Sequence, residues 1–191
     1  MYDSEKLKSH ILEKALRFGD FTLASGRKAK YYLDGKQVTL TAEGACLVGE
    51  GILALLAQEP EFPAAVGGMC IGADPITAAV ITVAGMSGKS LKGFLVRKEA
   101  KGHGTNKFVE GPVLPGESAV IVEDVVTTGG SSLLAIQRAE EFGLKIKTVI
   151  AIVDRMEGGR EAFQNAGYTL KSLFTIQDFG LEPPAPEASG Q

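Results

Sequence analysis

The stretch Ala119-Val-Ile-Val-Glu-Asp-Val-Val-Thr-Thr-Gly-Gly-Ser-Ser132 decides the fold of this chain. Ala119 to Val122 is an apolar run of the length and type of a buried parallel strand. Glu123 and Asp124 stand at its carboxyl end, Thr127 to Ser131 form a loop of small residues, and Ser132-Leu-Leu-Ala-Ile-Gln opens a helix. In an open parallel sheet, ligands bind beyond the carboxyl ends of the strands. A Gly/Thr/Ser loop leading into a helix offers unpaired N–H groups and the positive end of a dipole, which suits a phosphate. The acids just before it disfavour that phosphate and suit sugar hydroxyls, or a metal-bound group, beside it. A phosphate cradle next to a diol clamp describes a site for a ribose 5-phosphate.

Outward from this stretch, strands and helices alternate, which implies an α/β fold with a parallel sheet. Residues 3–17 carry Leu7, Ile11, Leu12, Ala15 and Leu16 at helical spacing, with Asp3 or Ser4 as N-cap. Phe18 to Thr39 reads as short strands and turns, with a turn at Ser25-Gly26. Thr41 caps a helix to about Gln58, ended by Pro60 and Pro63. Strands are predicted over Ala64 to Gly67, Leu91 to Arg97, Lys147 to Val153 and Tyr168 to Phe174. Helices are predicted over Pro75 to Ala84 and from Ser132 to near Gly143. The Pro-rich tail from Pro183 reads as frayed. One domain spans 1–191, without repeat or linker, as its length allows.

The second informative stretch is Arg97-Lys98-Glu99-Ala100-Lys101-Gly102-His103-Gly104. Arg97, Lys98, Lys101 and His103 fall within seven positions of a chain whose net charge is −3. Glycines flank His103, and the polar run 98–112 is built to move. Such a loop is a clamp for a polyanion such as pyrophosphate.

Composition narrows the class. At 45% hydrophobic and 23% charged the chain reads as a soluble globular protein. Its net charge argues against a broad nucleic-acid partner, which needs a basic face. Met-Tyr-Asp-Ser-Glu-Lys is not a signal pattern, and no apolar stretch spans a bilayer, so no membrane partner and a cytoplasmic location are expected. Cys46 and Cys70 form no metal or disulfide pattern and read as small packing residues.

The strand, acid pair and Thr-x-Gly-x-Ser loop of 119–132 resemble the phosphoribosyl pyrophosphate (PRPP) signature of type I phosphoribosyltransferases, with Glu123 where Asp is usual. The resemblance narrows to the orotate phosphoribosyltransferases. It is carried by Arg-Lys-x-x-Lys-x-His-Gly at 97–104, by Phe18-Gly-Asp-Phe-Thr-Leu-Ala-Ser-Gly-Arg-Lys-Ala-Lys-Tyr-Tyr-Leu-Asp34, by Asp154-Arg155 and by Gly67-Gly-Met-Cys-Ile-Gly-Ala-Asp-Pro75. These motifs follow the family's order and cover most of the chain.

What the resemblance implies is a mostly parallel sheet flanked by helices, a small N-terminal hood near residues 1–40, a core over about 41–180 and a tail at 181–191. It implies transfer of ribose 5-phosphate from PRPP to orotate, giving orotidine 5′-monophosphate and pyrophosphate, in pyrimidine biosynthesis. Mg²⁺ is implied, held mainly by PRPP and water, and so is a homodimer in which Arg97 acts in trans. Lys98, Lys101 and His103 would contact pyrophosphate, His103 either as a cation or as a general acid. Glu123 and Asp124 would hold the ribose hydroxyls, with Asp124 counted as catalytic alongside Lys98, Lys101 and His103. Val125, Val126, Thr127, Thr128, Gly129, Gly130 and Ser131 complete the PRPP loop, with the 5-phosphate at Thr127 to Ser131. Arg155, Thr127, Tyr31 and Tyr32 would line the orotate site.

The chain departs from the family twice. Ala24 stands where many members carry Lys, and the early glycine-rich loop has Cys70 and Ile71 where many carry another Lys. Lys28, Lys30 and Lys36 are the candidates to replace these cations. Gly88-Lys89-Ser90 imitates the end of a P-loop, but position 83 is Val and a strand follows. His10 reads as a surface or packing residue, Asp20, Glu140 and Glu141 as solvated acids, and Met69 as core. The rival readings are a purine or other-base phosphoribosyltransferase and a PRPP-sensing regulator. The basic loop and Tyr31-Tyr32 oppose the first, and the intact loop and the acidic charge oppose the second.

Overall fold

The computed structural model describes residues 2–22, 28–99 and 107–183. Helix α1 (Ser4–Lys14) is capped by Asp3, whose carboxylate accepts the Lys6 N–H at 3.0 Å. It stops at Lys14 rather than residue 17, because Leu16 already begins strand β1 (Leu16–Thr22), which pairs antiparallel with β2 (Lys28–Leu33). A short helix α2 (Lys36–Thr39) leads to Thr41, whose hydroxyl accepts the Gly44 N–H at 3.1 Å and so caps α3 (Ala42–Leu56).

The core follows as β3 (Ala65–Met69), α4 (Ala73–Met86), β4 (Lys92–Val96), β5 (Val109–Glu110), β6 (Ser118–Val126), α5 (Gly130–Phe142), β7 (Lys145–Asp154), α6 (Gly159–Asn165) and β8 (Thr169–Thr175), closed by a 3-10 turn at Ile176–Phe179. The strands lie in the order β5-β4-β3-β6-β7-β8. All neighbours are parallel except β5, which runs antiparallel to β4. From β3 the chain crosses through α4 to β4 on one side, and from β6 it crosses through α5 to β7 on the other. The direction of winding reverses between β3 and β6, which opens a crevice at their carboxyl ends.

Each face of the sheet buries its own core. Val120 and Val122 of β6 join Leu7, Ile11, Tyr31, Leu33, Val48, Ile52, Ile76 and Val80, which come from the N-terminal elements, α3 and α4. Ala119 and Ile121 join Ala135, Ile136, Ala139 and Phe163 of α5 and α6. Alternation along the strand produces this sorting. It fixes beforehand that the next two side chains, Glu123 and Asp124, leave on opposite faces.

Several expectations change. Strand β6 runs to Val126 instead of Val122, because Val125 and Val126 pair with Val153 and Asp154 of β7, a partner invisible to local pattern. The acids therefore lie within the strand. Helix α5 opens at Gly130, two residues before Ser132. Val109–Glu110 is a strand inside the polar run 98–112; two residues are too few to show a period. Helix α6 escapes the pattern because Gly158 and Gly159 head it. Cys46 is exposed rather than packed, on the outer side of α3. Met69 and His10 are buried, and Asp20 forms an exposed pair with Lys30. Met86 ends α4 just before Gly88-Lys89-Ser90, and β4 follows, which is not P-loop order. Ser25-Gly26, Ala24 and the tail beyond 183 lie outside the described residues. Among the described residues no helix is long and apolar enough to cross a membrane.

Candidate functional site

The two acids of β6 have different environments. Glu123 turns toward α5, where its Oε2 accepts the Ser132 hydroxyl at 2.9 Å and its side chain is buried. Burial, and then the neighbouring Asp124 charge, push its carboxyl up to about 7, against the pull of the Ser132 hydrogen bond. Asp124 turns toward the N-terminal hairpin and stays partly open; its Oδ1 accepts the Val125 N–H at 2.9 Å. Gly72, just before α4, lies against both: a Cβ there would stand 3.1 Å from Glu123 Oε1 and 3.3 Å from Asp124 Oδ1. The glycine-rich loop Cys70–Gly72 thus caps the acid pair from the β3 side of the crevice. Burial and Asp74 raise the Cys70 thiol to about 11, so it stays protonated at neutral pH.

Thr127, Thr128 and Gly129 form the bend between β6 and α5. Gly129 is the N-cap residue at φ +83°, in the left-handed region, and no side chain caps the helix. The first N–H groups of α5 keep no side-chain acceptor, while Thr128, Gly130 and Ser131 face outward. The bend is braced from below by α6: a Cβ on Gly159 would stand 2.5 Å from Val126 Cγ1 and 2.6 Å from the Thr127 carbonyl oxygen. These features make a rigid concave nest for an oxyanion.

A clip from the hairpin closes over Asp124. A Cβ on Gly35 would stand 2.7 Å from the Asp124 Cβ, so only glycine allows this approach. The next residue, Lys36, places Nζ 2.7 Å from Asp34 Oδ1 and 3.9 Å from Asp124 Oδ2. Of the three lysines considered as replacements, Lys36 is at the acid pair. Lys30 is paired with Asp20 at 2.5 Å in solvent, and the Lys28 side chain lies outside the described residues.

The opposite wall is buried and aromatic. Arg155 follows β7, its N–H donating to the Val126 carbonyl at 2.9 Å. Its Nε donates to the Tyr31 hydroxyl at 3.2 Å, and its guanidinium carbon lies 4.7 Å from the Tyr31 ring centroid. Its Nη2 meets Glu157 Oε1 at 2.6 Å. Burial raises the Tyr31 phenol although Arg155 works against it. Tyr32 does not share this wall. Strand alternation sends it to the other side of β2, where its ring lies 5.9 Å from that of Phe21 and it is 45% exposed. The expected aromatic pair is therefore divided between two faces.

The basic segment lies between β4 and β5, and its two described ends are held together. Arg97 donates its N–H to the Phe108 carbonyl at 2.8 Å, and Arg138 of α5 stacks on the Phe108 ring at 4.1 Å while donating to the Arg97 carbonyl. Arg97 and Phe108 are thereby tied to α5, the helix that opens at Gly130. The Arg97 side chain is half exposed, 3.8 Å from Glu110, and Lys98 is exposed. Lys101 and His103 lie outside the described residues.

Sequence reading missed Glu157, Gly35, Asp34, Ser132 as an acid partner, and Arg138. Arg-x-Glu after a core strand is a weak signal for Glu157; nothing local marks the others. As for metal, no cluster of three His, Cys, Asp or Glu among the described residues could hold an ion. Asp124 is the partly open carboxylate of the crevice, of the kind that would meet a hydrated Mg²⁺ carried in on substrate phosphates.

No family model matches the chain. It is 58% identical over 174 residues to the orotate phosphoribosyltransferase of Rhodopirellula baltica, covering 89% of this chain and 90% of that protein. Among solved structures, Mycobacterium tuberculosis orotate phosphoribosyltransferase in complex with Fe(III) dicitrate aligns with a TM-score of 0.83 at 33% identity, over 93% of this chain and 99% of that one. The same enzyme in complex with PRPP aligns with a TM-score of 0.79 at 30% identity, over 93% and 99%.

Proposed function

The chain belongs to the orotate phosphoribosyltransferase family, with the type I phosphoribosyltransferase fold, and on that premise we propose how its crevice divides the reaction. The protein transfers ribose 5-phosphate from PRPP to orotate, giving orotidine 5′-monophosphate and pyrophosphate in pyrimidine biosynthesis. The reading rests on one juxtaposition. An uncapped phosphate nest with a carboxylate pair stands at the same sheet edge as a buried arginine suited to an anionic base.

Thr127 to Ser131 take the 5-phosphate on the free N–H groups of α5, with Val125 and Val126 setting the strand end that carries them. Asp124 accepts from a ribose hydroxyl. Glu123, held by Ser132, supports it from the buried side. Arg155 takes the carboxylate of orotate, beside Tyr31, and Thr127 borders the base. Tyr32, half exposed on the other face of β2 and close enough to Lys36 to raise its ammonium, borders the open side of the same site.

Bond breaking at the anomeric carbon runs ahead of attack by the base nitrogen, so pyrophosphate gains charge in the transition state. Lys98, Lys101 and His103 stabilise that charge as the basic segment closes, and Arg97 reaches the site of a partner subunit in a homodimer. Lys36 supplies a cation beside the ribose in place of those missing at Ala24 and near Ile71. Mg²⁺ bound to PRPP adds further neutralisation of the pyrophosphate. Each such group is worth about 2–4 kcal/mol of transition-state stabilisation. A cytoplasmic setting belongs to the same proposal.

The test is a product assay with Mg-PRPP, offering orotate, uracil, adenine and hypoxanthine separately. Orotate-dependent release of pyrophosphate, falling steeply when Mg²⁺ is chelated, is expected. Preferential turnover of a purine overturns the base assignment, and full activity without Mg²⁺ overturns the role of the ion.

A further inference from the structure

Glu157 is a carboxylate beside the base site that the reaction so far leaves without a task. Its side chain is 3% exposed, and that of Arg155 is 9% exposed. A carboxylate so buried is costly unless paired, and here it meets Arg155 Nη2 at 2.6 Å. The intervening Met156 adopts φ +58°, unusual for a residue with a side chain. Its N–H donates to Asp154 Oδ1 at 2.8 Å, which fixes the turn that carries Glu157 back onto Arg155. From the other side, Tyr31 accepts from Arg155 Nε and underlies the guanidinium. The plane is therefore held along Nε by Tyr31 and at Nη2 by Glu157.

We infer that Glu157 is a positioning residue: it pins the Arg155 guanidinium against Tyr31 in the orientation that meets the carboxylate of the base, and it thereby sets the preference for a carboxylated pyrimidine. This rests on the orotate reading of Arg155. An unpinned arginine samples several rotamers, and recognition of a carboxylate by a planar fork depends on its orientation. A misplacement of about 1 Å at a reacting pair lowers efficiency on the order of 100-fold. Charge alone predicts the reverse sign, because removing an acid beside an anion site tightens binding of the anion.

The experiment compares Glu157→Gln and Glu157→Ala with the wild type, measuring orotate KM, kcat, turnover of uracil, and PRPP Kd by calorimetry without base. Orotate KM is expected to rise about tenfold in the Gln variant and up to about 100-fold in the Ala variant. The preference for orotate over uracil falls in step, and PRPP Kd is unchanged. Adding Glu157→Gln to Arg155→Lys makes orotate KM no worse than Arg155→Lys alone, because the two act as a unit. An orotate KM that is unchanged or lowered in Glu157→Gln overturns the inference, as does a PRPP affinity that falls with it. If Glu157→Ala does not fold, Glu157→Gln alone decides. Wild-type turnover of orotate reports separately on the base assignment, so the two failures are told apart.

Discussion

The side of the crevice proposed for the ribose and the side proposed for the base are assembled in opposite ways. The ribose side is one run of chain, in which Ser132 reaches back nine residues to Glu123 and the nest opens directly from the same strand. The base side joins Tyr31 to Arg155 across 124 residues, and it exists only while the N-terminal hairpin is docked on the sheet. A contiguous site inherits its geometry from the strand–loop–helix unit that carries it. A composite site depends on the packing between two parts of the molecule. Changes within the first therefore alter one ligand, and changes at the junction alter both.

Among changes at the backbone of the crevice, the largest effect is expected from Gly159→Ala. The new Cβ meets Val126 Cγ1 at 2.5 Å and the Thr127 backbone oxygen at 2.6 Å, neither of which is a flexible side-chain end. Overpacking of this kind costs roughly 1–3 kcal/mol. It falls on the loop meant for the 5-phosphate, so calorimetry should show PRPP Kd rising by about tenfold or more. A folded variant with unchanged PRPP affinity would show that α6 does not set the nest.

A smaller effect, spread over both sides, is expected from Gly35→Ala. The added methyl lies 2.7 Å from the Asp124 Cβ, at the root of that side chain, so the hairpin must shift. Steady-state kinetics should then show KM for PRPP and for orotate rising together. A rise confined to PRPP would mean that the hairpin stays docked and that the junction is looser than the contrast requires.

The smallest effect sharpens the electrostatics of the ribose side. The Glu123 carboxyl is raised to about 7 in the folded protein, from an ordinary value of 4.5. The folded state thus holds this proton more tightly than the unfolded state. Its stability is complete below the ordinary value and is lost as pH rises from about 4.5 to about 7. Asp124 and the Ser132 hydroxyl face the group from β6 and α5. Urea unfolding across that window should show wild-type stability falling, while Glu123→Gln, which carries no charge at any pH, stays flatter. Parallel curves would place the proton elsewhere.

The same division explains what was legible in advance. The strand, acid pair, loop and helix of 119–132 announce themselves because their chemistry and their order are local. Even there the strand end was misjudged, since Val125 and Val126 are held by β7 and not by their own pattern. Tyr31 and Tyr32 look equivalent in sequence, and alternation assigns one to Arg155 and leaves the other half exposed on the opposite face of β2. Lys36 was one of three lysines of equal standing until the Gly35 contact brought it to Asp124. Glu157 carried almost no signal, because its meaning comes from the turn at Met156.

The sequence alone determined an alternating α/β chain with a strand–loop–helix suited to a phosphate and a cluster of basic residues after a core strand, because hydrophobic period, glycine placement and clustered charge act over a few residues. Only the tertiary structure decided which acid is buried, which tyrosine meets Arg155, which lysine meets Asp124, and what holds Arg155. Those outcomes depend on contacts between segments far apart in the chain, and close packing leaves each of them a single geometry.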